Sequence, residues 1–470
     1  MKLFFPRAYV DGRIRSDVLV TTDESGTITA VECGTPPAPE PAAPVPAAPV
    51  PAAPGTSPAT PTGTSPGSPT GTSSEDIHVF TGTAFPGAHN AHSHAFHRLL
   101  RGRTHDDGGT FWTWRQEMYA AAASLTPQLY REVATAVFGE MIEAGYTSVG
   151  EFHYVHHAPD GTAYPDHAME RALAEAAATA GIRLVLLDTC YLQGSIGKEL
   201  APEQVRFGDG SIDGYMRRHA SLRTALADFS PLVTVGAAIH SVRAVAAEDL
   251  PRFAELDGPL HIHLSEQPAE NEQALAAYGK TPTRLLAEAG LLSPRLSAVH
   301  ATHLSDDDIR LLGDAGVHIV MCPTTEADLA DGIGPARALA DAGAVICLGS
   351  DQHVVLDSMR ELQALEAGER LASGQRGRFS PAELITALTQ SGASALGLRS
   401  GIAVGCPADI VTVEHASVRT AGSRGEQVVM SATAADISAV IVAGRVRRSR
   451  PKGAEQDSLG RLYARFFKEE

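Results

Sequence analysis

The stretch LHIHLSE, residues 260–266, is a short apolar run with histidines at alternate positions and a carboxylate at its end. On a strand, residues i and i+2 share a face, so His261 and His263 point the same way and Glu266 falls just beyond. Seven runs of the same kind flank it: one around residues 84–91, then TSVGEFHY, IRLVLLDTC, LVTVGAAIHS, LSAVHATH, HIVMCPTT and AVICLGSD. Ala/Leu/Glu-rich helical stretches such as PQLYREVATAVFGEMIEAG and DHAMERALAEAAATAG separate them. Eight β-then-α units predict an α/β fold, a closed parallel (β/α)8 TIM-like barrel. A doubly wound open sheet is the rival, and the count of eight favours the barrel.

The two ends of the chain have another rhythm. AYVDGRIRSDVLVTTDESGTITAVECG alternates apolar and polar residues around Asp-Gly and Ser-Gly turns, the pattern of hairpins. DIHVFTGTAFPG, GIAVGCPADIVTVE and ISAVIVAGRVRR also read as strands. We expect an accessory β-sandwich domain built from residues 1–33, 75–84 and 399–450 around a barrel at 85–398, with a C-terminal tail or helix at 451–470. Residues 34–74 repeat PAAPV and SPxT-like units with almost no large apolar residue. Such a segment cannot bury enough surface to offset its ordering entropy, so a disordered, partly polyproline II loop is expected there.

At 470 residues with a formal net charge of −17, the chain is large enough for an ample core and lacks a basic footprint for nucleic acid. An anionic substrate would need local arginines, because the overall field repels it. No run of about 18 apolar residues predicts a membrane span, and the N-terminus MKLFFPRAYVDGRI does not read as a signal peptide. The five cysteines, Cys33, Cys190, Cys322, Cys347 and Cys406, are scattered and form no CxxC, as expected of reduced residues in a cytoplasmic protein.

Chemically capable residues recur where the predicted strands end: His92 and His94, then Glu151, His153 and Tyr154, His240 with Arg243, His263 with Glu266, His300 with His303, and Asp351. A barrel gathers such residues at one mouth. The pair His92 and His94 is weak evidence alone, because 19 histidines make close pairs common. On one strand face, however, both can reach one ion. His263 and Asp351 would complete a nitrogen and oxygen shell suited to zinc or another divalent transition metal. His261 and His303 are expected to be structural. His153, His156 and His157 are expected in loops or behind the metal ligands, and Cys190, Cys322 and Cys347 in the packing.

HSHAFHR, HIHLSEQPAENE, VHATHL and GSDQH resemble the amidohydrolase superfamily in its deaminase branch. With FWTWRQEMY, GEFHYVHH, AIHSVRAV and CPTTEADLADGI they look like the formimidoylglutamate deiminases of histidine degradation. The resemblance implies one zinc per chain on His92, His94, His263 and Asp351, with iron or manganese also compatible, and commonly a homodimer. It implies catalytic roles for Glu266, His300 and Asp351, and substrate contacts from Arg115, Tyr154, His240 and Arg243. The substrate would be a small dicarboxylate, and two arginines could each take one carboxylate in bidentate fashion. The implied reaction turns N-formimidoyl-L-glutamate into N-formyl-L-glutamate and ammonia. Asp351 and His300 would orient and deprotonate the attacking water, and Glu266 would protonate the imino nitrogen. One departure concerns the substrate: His97 stands where that family usually has a substrate-contacting glutamine, and an imidazole offers fewer polar groups than an amide. A deaminase of a heterocycle such as guanine or an adenine derivative is the alternative, and a catalytically inactive binding protein is less favoured. Paired arginines argue against the first, and the intact set of His92, His94, His263, Glu266, His300 and Asp351 against the second.

Overall fold

The computed structural model describes residues 1–34, 77–105 and 111–447. The proline-rich stretch (all but its first residue) and the tail at 451–470 lie outside the described residues. Eight strands form the barrel: β6 (Ala88–Ser93), β7 (Tyr146–His153), β8 (Arg183–Cys190), β9 (Val233–Ile239), β10 (Leu260–Leu264), β11 (Leu296–His300), β12 (His318–Met321) and β13 (Val345–Leu348). Each pairs in parallel with the next in chain order. Their near-continuous apolar character follows, since both faces are covered; β7, β10, β11 and β12 are buried along their whole length.

The eighth strand closes on the first through a parallel bridge between Ser93 and Asp351. At that seam the His92 carbonyl accepts from the N–H groups of Ser350 (3.1 Å) and Asp351 (3.0 Å), and the Asp351 carbonyl accepts from His94 N–H (3.1 Å). The eight expected runs are therefore the eight barrel strands, with one adjustment. The run at 84–91 divides at Gly87, and its first part belongs to the other sheet. A Cβ at Gly87 would lie 2.2 Å from Thr147 Oγ1, so only glycine fits the crossing.

That second sheet joins both chain ends. It contains β1 (Lys2–Val10), β2 (Arg13–Thr22), β3 (Ile28–Cys33), β4 (Ile77–Val79) and β5 (Thr83–Pro86), with β14 (Ile410–Val413), β15 (Ile437–Val442) and β16 (Arg445–Arg447). The order is β16-β15-β14-β5-β1-β2-β3, with β4 also on β1. The two ends meet where β5 runs antiparallel to β14, Thr83 opposite Val413 and Pro86 opposite Ile410. Leu3, Phe5, Val18, Val20, Ile410 and Ile441 give this sheet its own core. Arg183 at the start of β8 clamps Asp409 in a half-buried ion pair at 3.1 Å, tying the sheet to the barrel.

The helices around the barrel include α1 (Phe111–Ser124), α2 (Pro127–Glu143), α3 (Ala168–Ala180), α4 (Ile212–Leu226) and α5 (Pro268–Tyr278). Thr126 caps α2 by accepting from Leu129 N–H, with Pro127 in its first turn. Gly181 ends α3 at φ 78°. Among the described residues, no helix is long and apolar enough to cross a membrane.

Candidate active site

The strand ends open into a cavity of about 370 Å³ at the C-terminal mouth of the barrel. Three strands leave the barrel through left-handed non-glycine residues: Ser265 (φ 49°) after β10, His300 (68°) and Ala301 (51°) at the end of β11, and Asp351 (44°) and His353 (61°) after β13. Of the residues expected to form the site, the cavity wall holds His94, His97, Arg115, Tyr154, His240 and Arg243. It also holds His263, Glu266, His300 and Asp351, and His92 lies immediately behind.

His92, His94 and His263 bring one nitrogen each into a mutually close group, and all three are buried. His263 Nε2 lies 3.1 Å from His92 Nε2, and Asp351 Oδ1 lies 3.5 Å from Nε2 of both His92 and His94. Bonds of about 2.0–2.1 Å to a tetrahedral zinc would place neighbouring ligands roughly 3.3–3.4 Å apart. Tautomers also fit. His94 Nδ1 donates to the Phe152 carbonyl and His263 Nδ1 to the His240 carbonyl, both at 2.9 Å, so each Nε2 presents a lone pair inward. Burial holds His94 down at about 3, and His92 and His263 well below the ordinary histidine range. Neutral imidazoles are what a divalent ion needs. Glu151 fixes the segment from behind: Ser93 Oγ donates to it at 2.6 Å and Ala95 N–H at 2.7 Å.

His300 stands across from this group. Its Nε2 is 3.7 Å from Glu266 Oε1 and 3.9 Å from Asp351 Oδ2, and its Nδ1 is 3.5 Å from Glu326 Oε1. Burial opposes charge on the ring, but Glu266, Glu326 and Asp351 outweigh it and push His300 up to about 10. A divalent ion on the neighbouring ligands would oppose that charge. Glu326 is anchored by Cys322 N–H at 2.8 Å, in the first turn of the helix Pro323–Asp328.

The outer wall carries the cations. Arg243 lies loosely between Glu266 (3.7 Å) and Glu270 (3.6 Å). Arg115 on α1 donates through Nε to Tyr119 Oη at 2.7 Å. Gln204 Nε2 donates to Tyr119 (3.0 Å) and Tyr191 (2.7 Å), which makes one rigid polar wall. Tyr154 Oη donates to Met118 Sδ at 3.6 Å and accepts from His97 Nε2 at 3.0 Å. Burial keeps the His97 imidazole neutral, and its Nδ1 has no hydrogen-bond partner. His240 lies one residue past β9, its ring 5.2 Å from that of His263.

The remaining histidines sit elsewhere. His261 donates to the Ala395 carbonyl at 2.9 Å, and His303 to the Asp331 carbonyl at 2.8 Å, both structural contacts. His153 is the last residue of β7, and His156 and His157 lie in the loop after it, as expected of loop residues, but none of the three supports the metal group. They belong to a buried ionic cluster outside the barrel wall, around Arg218, Glu170, Asp188 and Asp209. Strand alternation explains this: Phe152 faces the site, with its ring 4.3 Å from that of His263, so His153 faces outward. Cys190, Cys322 and Cys347 are buried in the packing as expected. Sequence reasoning missed Tyr119, Tyr191, Gln204, Glu270 and Glu326. Tyr119 closes the quoted stretch FWTWRQEMY, and its place one helical turn after Arg115 was the available signal.

Comparison with known proteins agrees with this geometry. Residues 83–447 match the model of the amidohydrolase family. Formimidoylglutamate deiminase of Pseudomonas aeruginosa is 35% identical over 399 residues, covering 80% of this chain and 87% of that protein. The 5-methylthioadenosine/S-adenosylhomocysteine deaminase of Teredinibacter turnerae is 29% identical over 345 residues, covering 70% and 71%. An amidohydrolase crystal structure from Brucella melitensis superposes with a TM-score of 0.84 at 28% identity, covering 99% of each chain. The chain belongs to the amidohydrolase family and, within it, to the hydrolytic deaminases.

Proposed function

We propose that this protein is a zinc-dependent deiminase that hydrolyses N-formimidoyl-L-glutamate to N-formyl-L-glutamate and ammonia, a step of histidine degradation. One observation carries this reading: two guanidinium groups, Arg115 and Arg243, line the same cavity as the imidazoles and Asp351. A substrate with two carboxylates gives each a partner, while a neutral heterocycle gives neither one. The chain's net charge of −17 makes such local cations necessary. The likeness to the Pseudomonas deiminase supports the same choice.

A divalent ion on His92, His94, His263 and Asp351 would supply Lewis acidity that lowers the pKa of water there. Zinc suits this nitrogen-rich set, and iron or manganese is compatible with it. Asp351 takes a proton from the water that attacks the formimidoyl carbon, and His300 helps orient that water. Glu266, near His300 and Arg243, gives a proton to the imino nitrogen. The added oxygen then gives up its remaining proton, and the departing nitrogen takes a second one. The bond between the formimidoyl carbon and that former imino nitrogen breaks, so that ammonia leaves and the formyl C=O remains; the proton held by Asp351 restores Glu266.

An aromatic wall of Trp114, Tyr154, Tyr191 and Phe207 favours a second reading, a purine-type ring stacked in the cavity. Ammonia release by the zinc-loaded protein separates the two, with N-formimidoyl-L-glutamate, guanine and 5-methylthioadenosine run in parallel and products identified by mass spectrometry. Formylglutamate from the first substrate is the expected result. Turnover of a purine alone would overturn the assignment.

A further inference from the structure

We propose that Glu270 is the positioning residue that aims Arg243 at a substrate carboxylate, an inference that rests on the dicarboxylate reading above. Glu270 lies in the first turn of α5, is 1% exposed, and takes no part in the cavity wall. Its Oε2 is 3.6 Å from Arg243 Nε, on the side edge of the guanidinium. Nη2, on the same side edge, is 3.7 Å from Glu266 Oε2 in the cavity wall. Charge-assisted hydrogen bonds run to about 2.7–2.9 Å, so neither carboxylate has captured the guanidinium. Arg243 Nε and both Glu270 oxygens are buried without hydrogen-bond partners. A guanidinium drawn only by Glu266 would collapse onto the group that delivers the proton. Shared between the two acids along its Nε/Nη2 edge, it keeps its terminal Nη1/Nη2 edge free for a third, incoming carboxylate.

A buried acid needs such a reason to be there. Burial drives the Glu270 carboxyl up to about 7, and the Arg243 guanidinium draws it back most strongly. The bland alternative is an acid that favours the start of α5 through the helix dipole. That role would be indifferent to which carboxylate the substrate carries.

The test uses the zinc-loaded full chain as wild type, Glu270→Gln, Glu270→Asp, Arg243→Gln and the double variant Arg243→Gln/Glu270→Gln. Substrates are N-formimidoyl-L-glutamate and two analogues, each lacking one of its carboxylates. Loss of an oriented charged contact is worth about 10-fold or more, so Glu270→Gln should raise KM for the diacid by roughly that factor. It should change kcat less than threefold, with Glu270→Asp intermediate. The KM effect should vanish on the same single-carboxylate analogue that is insensitive to Arg243→Gln, and the double variant should be no worse than Arg243→Gln alone. Calorimetric binding of N-formyl-L-glutamate gives a readout without turnover and should weaken in parallel. Equal losses on both analogues, or losses that add to Arg243→Gln, would overturn the proposal in favour of a structural acid. Unfolding midpoints and zinc content identify a variant that simply misfolds, and in that case Glu270→Asp decides. If the wild type does not act on the diacid, the dicarboxylate reading fails and this inference falls with it. Wild-type turnover with an unaffected Glu270→Gln removes this inference alone.

Discussion

Replacing Gly349 by alanine should damage the metal group although Gly349 is not itself a ligand. The added Cβ would lie 2.7 Å from His92 Cβ and 3.0 Å from both the nitrogen and the carbonyl oxygen of His92. Carbon atoms in comfortable contact are about 3.5–4.0 Å apart. The obstructing atoms are the Cβ and backbone of a strand residue rather than a flexible side-chain tip, so β6 must retreat from β13 by several tenths of an ångström. Overpacking of this kind costs about 1–3 kcal/mol. His92 Nε2 sits 3.1 Å from His263 Nε2 and 3.5 Å from Asp351 Oδ1, and metal–ligand distances tolerate only about ±0.2 Å. Zinc affinity should fall about 10–100-fold, as when an outer-shell support of a ligand is lost. Zinc content in buffers of graded free zinc would measure it, and urea unfolding of the metal-free protein would measure the packing cost. Gly334→Ala is the control: its Cβ meets Met321 Cε at 2.7 Å, the mobile end of a side chain, so affinity should hold. Wild-type zinc affinity and an unchanged unfolding midpoint in Gly349→Ala would refute the claim that this seam sets the ligand geometry.

Arg218→Met should cost about 3–5 kcal/mol in urea unfolding, because Glu170, Asp188 and Asp209 are left buried around a missing cation. A loss below about 1 kcal/mol would show that the neighbouring histidines already balance those acids. Glu361→Gln should flatten the dependence of stability on pH. Burial pushes the Glu361 carboxyl up from 4.5 to about 8, so the folded chain keeps a proton that the unfolded chain loses in that window. Stability then falls as pH rises from 4.5 to about 8, by up to about 1.4 kcal/mol per pH unit. Unfolding at pH 5.5 and 7.5 should show a smaller difference in the variant, and identical differences would sink the idea. His97→Gln should retain zinc and turnover and lower KM for N-formimidoyl-L-glutamate several-fold, since an amide offers both a donor and an acceptor where the imidazole leaves Nδ1 without a partner. A raised KM would mean that the imidazole itself binds substrate.

The barrel strands were legible because each is a brief apolar run with a helical stretch behind it. The one blurred boundary, at 84–91, joins two strands through the Pro86-Gly87 pair, with only Gly87 between β5 and β6 to mark the change of sheet. The mouth residues were legible for a topological reason: a parallel barrel delivers every strand end to one side, so His263 and Asp351 meet although far apart in sequence. Residues approaching from other elements were not legible. Gln204 joins Tyr119 to Tyr191 only because a 3-10 turn at Pro202–Phe207 packs against α1, and no local pattern encodes that docking. Glu270 and Glu326 both sit in the first turns of helices, where acids are common for reasons unrelated to catalysis. The histidines of GEFHYVHH read as loop residues or as support behind the metal ligands; His156 and His157 do lie in the loop after β7, while alternation sends His153 outward toward Glu170.

The left-handed residues at the mouth connect folding to chemistry. A non-glycine residue in that region costs about 1–2 kcal/mol, and glycine would avoid the cost. At four of the five positions the side chain gives a reason to accept it. Ser265 Oγ donates to Asn271 Oδ1 at 2.8 Å, and His353 bridges Ser93 (3.0 Å) and Ser350 (2.9 Å). His300 and Asp351 face the cavity itself. Ala301 has no polar side chain, but its N–H is held by the carbonyls of Leu264 and Val299, both at 3.0 Å. The strain is therefore carried by the parallel ladders beneath the mouth, which over-determine the path of the chain. Asp351 takes this furthest. Its backbone closes the barrel against Ser93 and His94 while its carboxylate faces His92 and His94. Barrel closure and ligand geometry thus share one residue, so a change that loosens the seam must also move a ligand.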